Sequence, residues 1–126
     1  MKYTTMMTLF LFAICSVYGG DWTVLGSRTV KFSADRDVIP VTGSQGTFKR
    51  LKLRVKKSGI RVMDMKVHFG DGSVHDVSIR KFIKAGGETR VIDLPGSARV
   101  IRKVVLTYKT KNKRKGGAVV TLWGKH

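Results

Sequence analysis

FKRLKLRVKK, residues 48–57, is the stretch that decides the fold. Its apolar and charged side chains alternate one by one, which is the period of a β-strand with one buried face. Leu51, Leu53 and Val55 fall on one face. The other face carries four cations, which we call the stripe: Arg50, Lys52, Arg54 and Lys56. Like charges along one sheet face repel unless acids or a ligand oppose them, so the stripe is the first candidate binding surface.

The same pattern of short strands continues on both sides of this stretch. Runs rich in Val, Ile, Leu, Thr and aromatic residues are separated by glycines, and no stretch keeps a helical period. The predicted strands cover residues 22–25, 29–32, 37–40, 48–55, 60–69, 74–79, 88–94, 100–110 and 118–123. About eight or nine short antiparallel strands predict an all-β, jelly-roll-like sandwich. The best candidate for a helical turn is residues 78–85.

A hairpin over residues 60–79 can be assigned a register. A three-residue Gly70-Asp71-Gly72 loop, with one glycine in the left-handed region, sets Met65 opposite Val77 and Lys66 opposite Asp76. A slip of one residue would turn the apolar set outward. The side chains predicted to face the core are Met63, Met65, Val67 and Phe69, and those predicted to face outward are Asp64, Lys66 and His68.

A second basic segment lies near the end of the chain. Residues 100–106 and 119–123 are strongly apolar, and we expect these two strands to pair across the intervening loop. That loop contains five cations and no acid: Lys109, Lys111, Lys113, Arg114 and Lys115. Together with the stripe, these residues are the predicted polyanion-binding set.

The first twenty residues are typical of a secretory signal peptide. Lys2 gives a positive start, residues 6–17 are apolar and uncharged, and Gly19 and Gly20 supply small residues for cleavage. The apolar run is shorter than the ~20 residues that span a bilayer. We therefore expect residues 1–20 to be removed, leaving one domain at residues 21–126 that is periplasmic or secreted and has no transmembrane span. A retained anchor is the alternative.

The single cysteine falls inside this leader. A lipoprotein signal needs a small residue just before its cysteine, but Ile14 precedes Cys15. Cleavage would leave a domain without cysteine, which its core alone must stabilise.

The charge balance points to anionic partners. The chain has 25 Lys and Arg against 8 Asp and Glu, a formal charge of +17, and such an excess affects steering and adhesion rather than fold. Outside the cytoplasm the available polyanions are lipopolysaccharide, acidic glycans, anionic lipids and extracellular nucleic acid. No motif of a sequence-specific nucleic-acid binder is present. A generally basic proteome is the alternative explanation.

No catalytic set, cofactor motif or metal site is predicted. The sequence has no nucleophile elbow and no phosphate-binding loop. His68 and His75 lie on opposite faces in the predicted hairpin, so they would not share a metal ion with Asp71 and Asp76. Asp93 is expected to cap a turn or pair with an arginine. We therefore expect no enzyme activity.

The two tryptophans have two interpretations. Trp22 and Trp123 lie near the two ends of the predicted domain. Carbohydrate and nucleic-acid binders use exposed aromatic side chains as stacking platforms, but tryptophans of β-sandwiches are more often part of the core. Core packing is the expectation for both.

Several segments resemble one family of exported proteins. They are WTVLGSR (residues 22–28), DRDVI (35–39), VMDMKVHFG (62–70), AGGETRVIDL (85–94), IRKVV (101–105) and LWG (122–124). They are similar to small bacterial proteins of an uncharacterised family, a domain of unknown function. The resemblance implies a periplasmic or secreted β-sandwich of a Gram-negative bacterium. It brings no functional residues, and the loop at residues 109–115 is more basic than the family pattern.

Two functions remain open from the sequence. The first is a module that binds anionic envelope polymers through the stripe and the basic loop. The second is a structural or protein-interaction domain of the envelope, whose charge is incidental.

Overall fold

The structure, a computed structural model, describes residues 22–30, 36–96, 98–109 and 117–126. These residues form nine strands: β1 Trp22–Val30, β2 Arg36–Pro40, β3 Thr47–Phe48, β4 Arg50–Lys56, β5 Ile60–Phe69, β6 Val74–Ile83, β7 Ile92–Asp93, β8 Arg99–Lys109 and β9 Ala118–Lys125. A 3-10 turn, Gly43–Gln45, lies between β2 and β3. The described part of the chain is therefore all-β, as predicted.

The strands form two antiparallel sheets that share one hydrophobic core. Sheet A has the order β1-β9-β4-β7, and sheet B has the order β2-β8-β5-β6 with β3 beside β8. Inward side chains of both sheets meet in a single cluster. Tyr108 is the largest fully buried side chain, and its hydroxyl donates a hydrogen bond to Asp37 at 3.2 Å. Burying this phenol is tolerable because its polar end has a partner.

Strand β4 has the two faces that its alternation predicts. Leu51, Leu53 and Val55 are fully buried. On its two sides, β4 pairs with β9 along its whole length and with β7 at its start. This central position buries the apolar side chains while the stripe faces away from the core.

The hairpin of β5 and β6 confirms most of the predicted register. Met65 pairs with Val77 and Lys66 pairs with Asp76. Gly72 has a φ of 95°, so a glycine in the left-handed region closes the loop as expected. Met63 was wrongly assigned to the core: the register shifts between Val62 and Asp64. This bulge puts Val62, rather than Met63, in the fully buried position.

The predicted helical turn at residues 78–85 is wrong. Strand β6 continues to Ile83. The register of its pairing with β5 shifts within this segment, but the two strands stay paired on both sides of the shift. Arg80 adopts a φ of 43°, and beyond it Lys81 pairs with Val62 and Ile83 with Ile60. The strict alternation of side chains is interrupted at Arg80, and this interruption accounts for the weak helical pattern of the segment.

The expected pairing of the last two long strands is also wrong. Strand β8 pairs with β2, β3 and β5 in sheet B, whereas β9 pairs with β1 and β4 in sheet A. The two strands follow each other in sequence but belong to opposite layers. Both are rich in buried residues because each lies inside its own sheet, with neighbours on two sides.

Two further predicted boundaries differ from the structure. The separate strands predicted at residues 22–25 and 29–32 are replaced over the described residues by one strand, β1, whose register shifts between Val24 and Gly26. Residues 31 and 32 of the second prediction lie outside the described residues. The strand at residues 88–94 is reduced to β7 and an isolated bridge between Arg54 and Glu88. This edge of sheet A is therefore only loosely paired.

Candidate binding face

The candidate site is the outer face of sheet A. The stripe runs down its β4 strand, with half-exposed Arg50 and Arg54 side chains and a mostly covered Lys52 side chain. Lys56 is exposed at the end of the strand. The predicted stripe residues thus share one face, because each lies two positions from the next on a regular strand.

Both tryptophans lie on this same face. Trp123 on β9 pairs with Lys52 on one side and with Val24 on the other, and Trp22 lies two positions from Val24 on β1. Neither tryptophan belongs to the buried core cluster, and both are half-buried. The expectation that they pack in the core is wrong. Leu122, next to Trp123, takes the inward position on β9, and the buried side chain near Trp22 on β1 is Leu25.

Acids at the β7 side of the face oppose most of the stripe. Arg50 pairs with Asp93 at 2.9 Å, which is one of the two roles predicted for Asp93. Glu88 lies 3.3 Å from Lys52 and 4.0 Å from Arg54. Within the described ranges, Lys56 forms no ion pair at 4.0 Å or less. The repulsion expected along the row is therefore relieved for three of its four cations.

Lys52 is held between an aromatic ring and a carboxylate. Its Nζ lies 4.4 Å from the centre of the Trp22 ring and 3.3 Å from Glu88 Oε1. Only 18% of the Lys52 side chain is exposed. A cation over a tryptophan ring is a favourable contact whose strength increases as water is removed. Lys52 is thus the most tightly positioned charge of the stripe.

Two hydrogen-bond donors on this face are left without partners. The Arg54 Nε and the Trp123 indole Nε1 are buried and have no acceptor among the described residues. Buried polar groups are nearly always satisfied in folded proteins. Beside them, the exposed hydroxyls of Ser27 and Thr121 lie 3.3 Å apart. The face therefore combines aromatic rings, cations and acceptors, and beneath it lie two buried donors without a partner among the described residues.

The structure does not bring Lys109 onto this face. Lys109 ends β8 opposite Arg61, next to the inward Tyr108, so it points away from the core on the outer side of sheet B. The other predicted residues of the basic loop, Lys111, Lys113, Arg114 and Lys115, lie outside the described residues.

The outer side of sheet B carries its own cations. His68 pairs with Lys103 across β5 and β8, and burial together with the positive charges of Lys103, Arg102, Lys66 and Arg36 lowers the pKa of His68. His75 pairs with the inward Val67, so the two histidines lie on opposite faces as predicted. No group of metal-ligating side chains is found among the described residues.

A third cluster closes the hairpin of β5 and β6. Arg99 lies 3.0 Å from the Asp71 carboxylate, and its guanidinium carbon lies 4.0 Å from the centre of the Phe69 ring. The Ser73 hydroxyl and backbone N–H both donate to Asp71. These side chains border an open depression of about 510 Å³. Because every charge in the cluster is paired, it serves mainly to hold the hairpin on β8.

Sequence reasoning missed Glu88 and misplaced the two tryptophans. Glu88 is 36 residues from Lys52, and no local pattern links the two. The signal that could have placed Trp123 is the alternation of side chains along β9. Leu122 and Trp123 are adjacent, so only one of them can face the core.

Comparison with known proteins connects the chain to one family. The family model described as "Domain of unknown function (DUF2541)" matches residues 4–124. This confirms the predicted resemblance to an uncharacterised family. No curated protein matches the sequence.

Similar solved structures are distant. A structure of Pseudomonas aeruginosa AlgX is 12% identical with a TM-score of 0.49, over 82% of this chain and 26% of that chain. A structure of the SPBc2 prophage-derived protein YomS is 13% identical with a TM-score of 0.43, over 83% and 91% of the two chains. The core of Drosophila NLP is 20% identical with a TM-score of 0.31, over 83% and 96%. The chain thus spans about a quarter of AlgX, and none of these likenesses indicates a ligand.

The described part of the chain also contains no helix with the length and hydropathy that a bilayer crossing needs.

Proposed function

The chain belongs to the DUF2541 family, and from that premise we propose that it is an exported, basic β-domain that binds anionic polymers of the cell envelope without catalysis. The domain comprises residues 21–126, and it works in the periplasm or outside the cell after loss of the leader at residues 1–20. Its proposed contacts are the stripe and, from the basic loop, Lys109, Lys111, Lys113, Arg114 and Lys115. Lipopolysaccharide, acidic glycan, anionic lipid and extracellular nucleic acid are the candidate classes.

The observation that carries the proposal is a row of cations on a rigid, two-sided strand. Every second residue of β4 is anchored in the core, so the stripe cations are presented at strand spacing on one surface. A polymer with regularly spaced negative charges can match such a row. Arg adds bidentate contacts to carboxylate or phosphate, and Lys adds point charges.

The ion pairs on the face are compatible with exchange for a ligand. The Asp93 side chain is 79% exposed, and Arg50 is about half exposed. Exposed pairs of this kind contribute roughly 0–1 kcal/mol, so an incoming anion can replace them at small cost. Lys56 is available at the end of the row.

Heparin chromatography tests the proposal. We expect the purified protein to be retained and to elute with salt, because each neutralised anion releases counterions. Converting the four stripe residues to Gln should move elution to clearly lower salt. The matched control converts the four cations around His68 to Gln, which removes equal charge from the other sheet: Arg36, Lys66, Arg102 and Lys103. Equal losses in the two variants would mean that overall charge, and not the stripe, causes retention.

The second candidate is a protein-interaction role for the edge strand β6. This strand is the outer strand of sheet B, and Val74 and Phe82 on it are 49% and 46% exposed. A long edge with exposed apolar side chains is a template for strand addition. Self-association that persists at high salt and is lost in Phe82→Lys would favour this function.

We also propose that the two-sheet fold is a jelly roll. Leaving aside the short β3, the strands pair from the two ends of the chain inward: β1 with β9, β2 with β8, β4 with β7 and β5 with β6. This nesting supports a double Greek key. An experimental structure with another strand order would overturn it.

A further inference from the structure

The outer face of sheet A has the composition of a saccharide-binding surface. Trp22 and Trp123 lie on adjacent strands, diagonal to each other across the β1–β9 ladder. Side chains in this relation are about 7–8 Å apart at the backbone, within reach for aromatic residues. Val24, 45% exposed, lies beside them on the same face. Apolar rings on a flat sheet can stack against the C–H faces of sugar rings.

The charged groups on the face indicate which sugar would fit. The Lys52 ammonium group lies over the Trp22 ring. A sugar ring that stacks on that face would displace the ammonium group, and a carboxyl substituent on the sugar would give it a new partner. Arg54 and Arg50 follow at strand spacing along β4. A chain of carboxylated sugars carries one negative charge per ring and so supplies stacking and ion pairing together.

The acceptors on the face distinguish a polysaccharide from a nucleic acid. Asp93 and Glu88 border the stripe, and both carboxylates can only accept hydrogen bonds. The many hydroxyls of a polysaccharide can donate to such groups along its whole length, whereas the phosphate groups of a nucleic-acid backbone can only accept. The hydroxyls of Ser27 and Thr121 add neutral partners.

We propose that the anionic polymer bound by this face is a carboxylated polysaccharide, whose rings stack on Trp22 and Trp123 while Lys52 and Arg54 bind its carboxylates. This inference rests on the proposed function, since it names the ligand class of the same stripe. It adds the two tryptophans and Glu88 to the binding set. It also gives the face a neutral, stacking component that salt does not screen.

Tryptophan fluorescence provides a direct test. The chain has two tryptophans, and both lie on this face, so all indole emission reports on it. We expect an oligomer of galacturonate to shift or quench the emission with saturation. A neutral oligosaccharide of the same length, an oligo(dT) of equal charge and phosphatidylglycerol vesicles should have weaker effects at the same concentration.

Variants separate stacking from charge. Trp22→Ala should weaken galacturonate binding about ten-fold, within the range found for aromatic stacking, while Trp22→Phe should retain most of it. Lys52→Gln should weaken binding by a similar factor, and Lys103→Gln on the other sheet should not. Calorimetry measures these affinities without relying on fluorescence, and circular dichroism with a melting curve checks that each variant is folded.

The outcomes distinguish the two proposals. Heparin retention that depends on the stripe, with no change in indole emission on adding galacturonate, would overturn the inference and leave the proposed function standing. Tighter binding of oligo(dT) or of the neutral sugar would overturn the inference in favour of those ligands. Heparin retention that is the same with and without the stripe cations would overturn the proposed function itself.

Discussion

The hydroxyl of Thr89 accepts a hydrogen bond from the backbone N–H of Leu53 at 3.0 Å. The same hydroxyl donates to the Arg90 carbonyl at 2.9 Å, and Thr89 is 7% exposed. In the other direction, the Thr89 N–H donates to the Leu53 carbonyl. At this loosely paired edge of β4, Leu53 makes two hydrogen bonds to Thr89. The backbone of Thr89 provides one of them, and its side-chain hydroxyl replaces the backbone acceptor of a regular neighbouring strand in the other.

Removing this hydroxyl should weaken the fold. Thr89→Val keeps the shape but leaves the buried Leu53 N–H unsatisfied, which costs about 1–3 kcal/mol. Urea unfolding should show a lower midpoint. Thr89→Ser, which keeps the hydroxyl, should lose less. Equal stability of the Val variant and the original protein would mean that Leu53 finds another acceptor.

A methyl group at Gly124 should also destabilise the protein. A Cβ there would lie 2.7 Å from Phe48 and 2.8 Å from Leu25, both of which are buried. Overpacking of this kind typically costs about 1–3 kcal/mol. Gly43→Ala is the control, because a Cβ at Gly43 meets no atom within 4 Å. Thermal melting of the two variants should differ accordingly, and equal melting temperatures would contradict the packing at Gly124.

The hairpin carboxylate should make stability depend on acid pH. Hydrogen bonds from Ser73, side chain and then backbone, lower the pKa of Asp71 below its usual 3.8, and Arg99 adds to the effect. A depressed native pKa stabilises the fold above the unfolded value, and this contribution is lost as pH falls through the native one. The melting temperature of Asp71→Asn should therefore lie below that of the original protein near neutral pH. The gap should narrow as the pH drops below about 4. A gap that stays constant down to strongly acid pH would exclude this linkage.

The proposal that residues 1–20 are removed as a signal peptide can be tested on the purified protein. Expression in a bacterial host, followed by intact-mass measurement, should give a species that begins at Gly20 or Asp21. This species lacks Cys15, so a reducing agent should leave its melting curve unchanged. A mass that includes residues 1–20 would favour the retained anchor.

Local patterns predicted the parts of the fold that depend on local spacing. The alternation around Leu51 and Leu53 correctly assigned both faces of β4. The ability of Gly72 to adopt a positive φ correctly predicted the hairpin loop. Met63 was misassigned because a bulge changes the side on which a residue points without any change in composition. Whether β8 pairs with β9 depends on contacts between strands far apart in sequence, and adjacency along the chain says little about it.

The candidate site was predictable in its charges but not in its neighbours. The stripe follows from one strand alone. The positions of Trp22, Trp123 and Glu88 beside Lys52 require the register of three different strands, which the sequence does not encode in any short window. Hydrophobicity favoured the core for the tryptophans, yet Leu25 and Leu122 already filled the inward positions.

The position of β9 has a consequence for the folding pathway. Since β9 lies between β1 and β4, these two early strands can be joined in one sheet only after β9, the last strand, has been synthesised. Pairings so distant in sequence fold slowly. Until β9 arrives, the unpaired edge of β4 is open to a chaperone, or to the β9 of a second molecule in a swapped dimer.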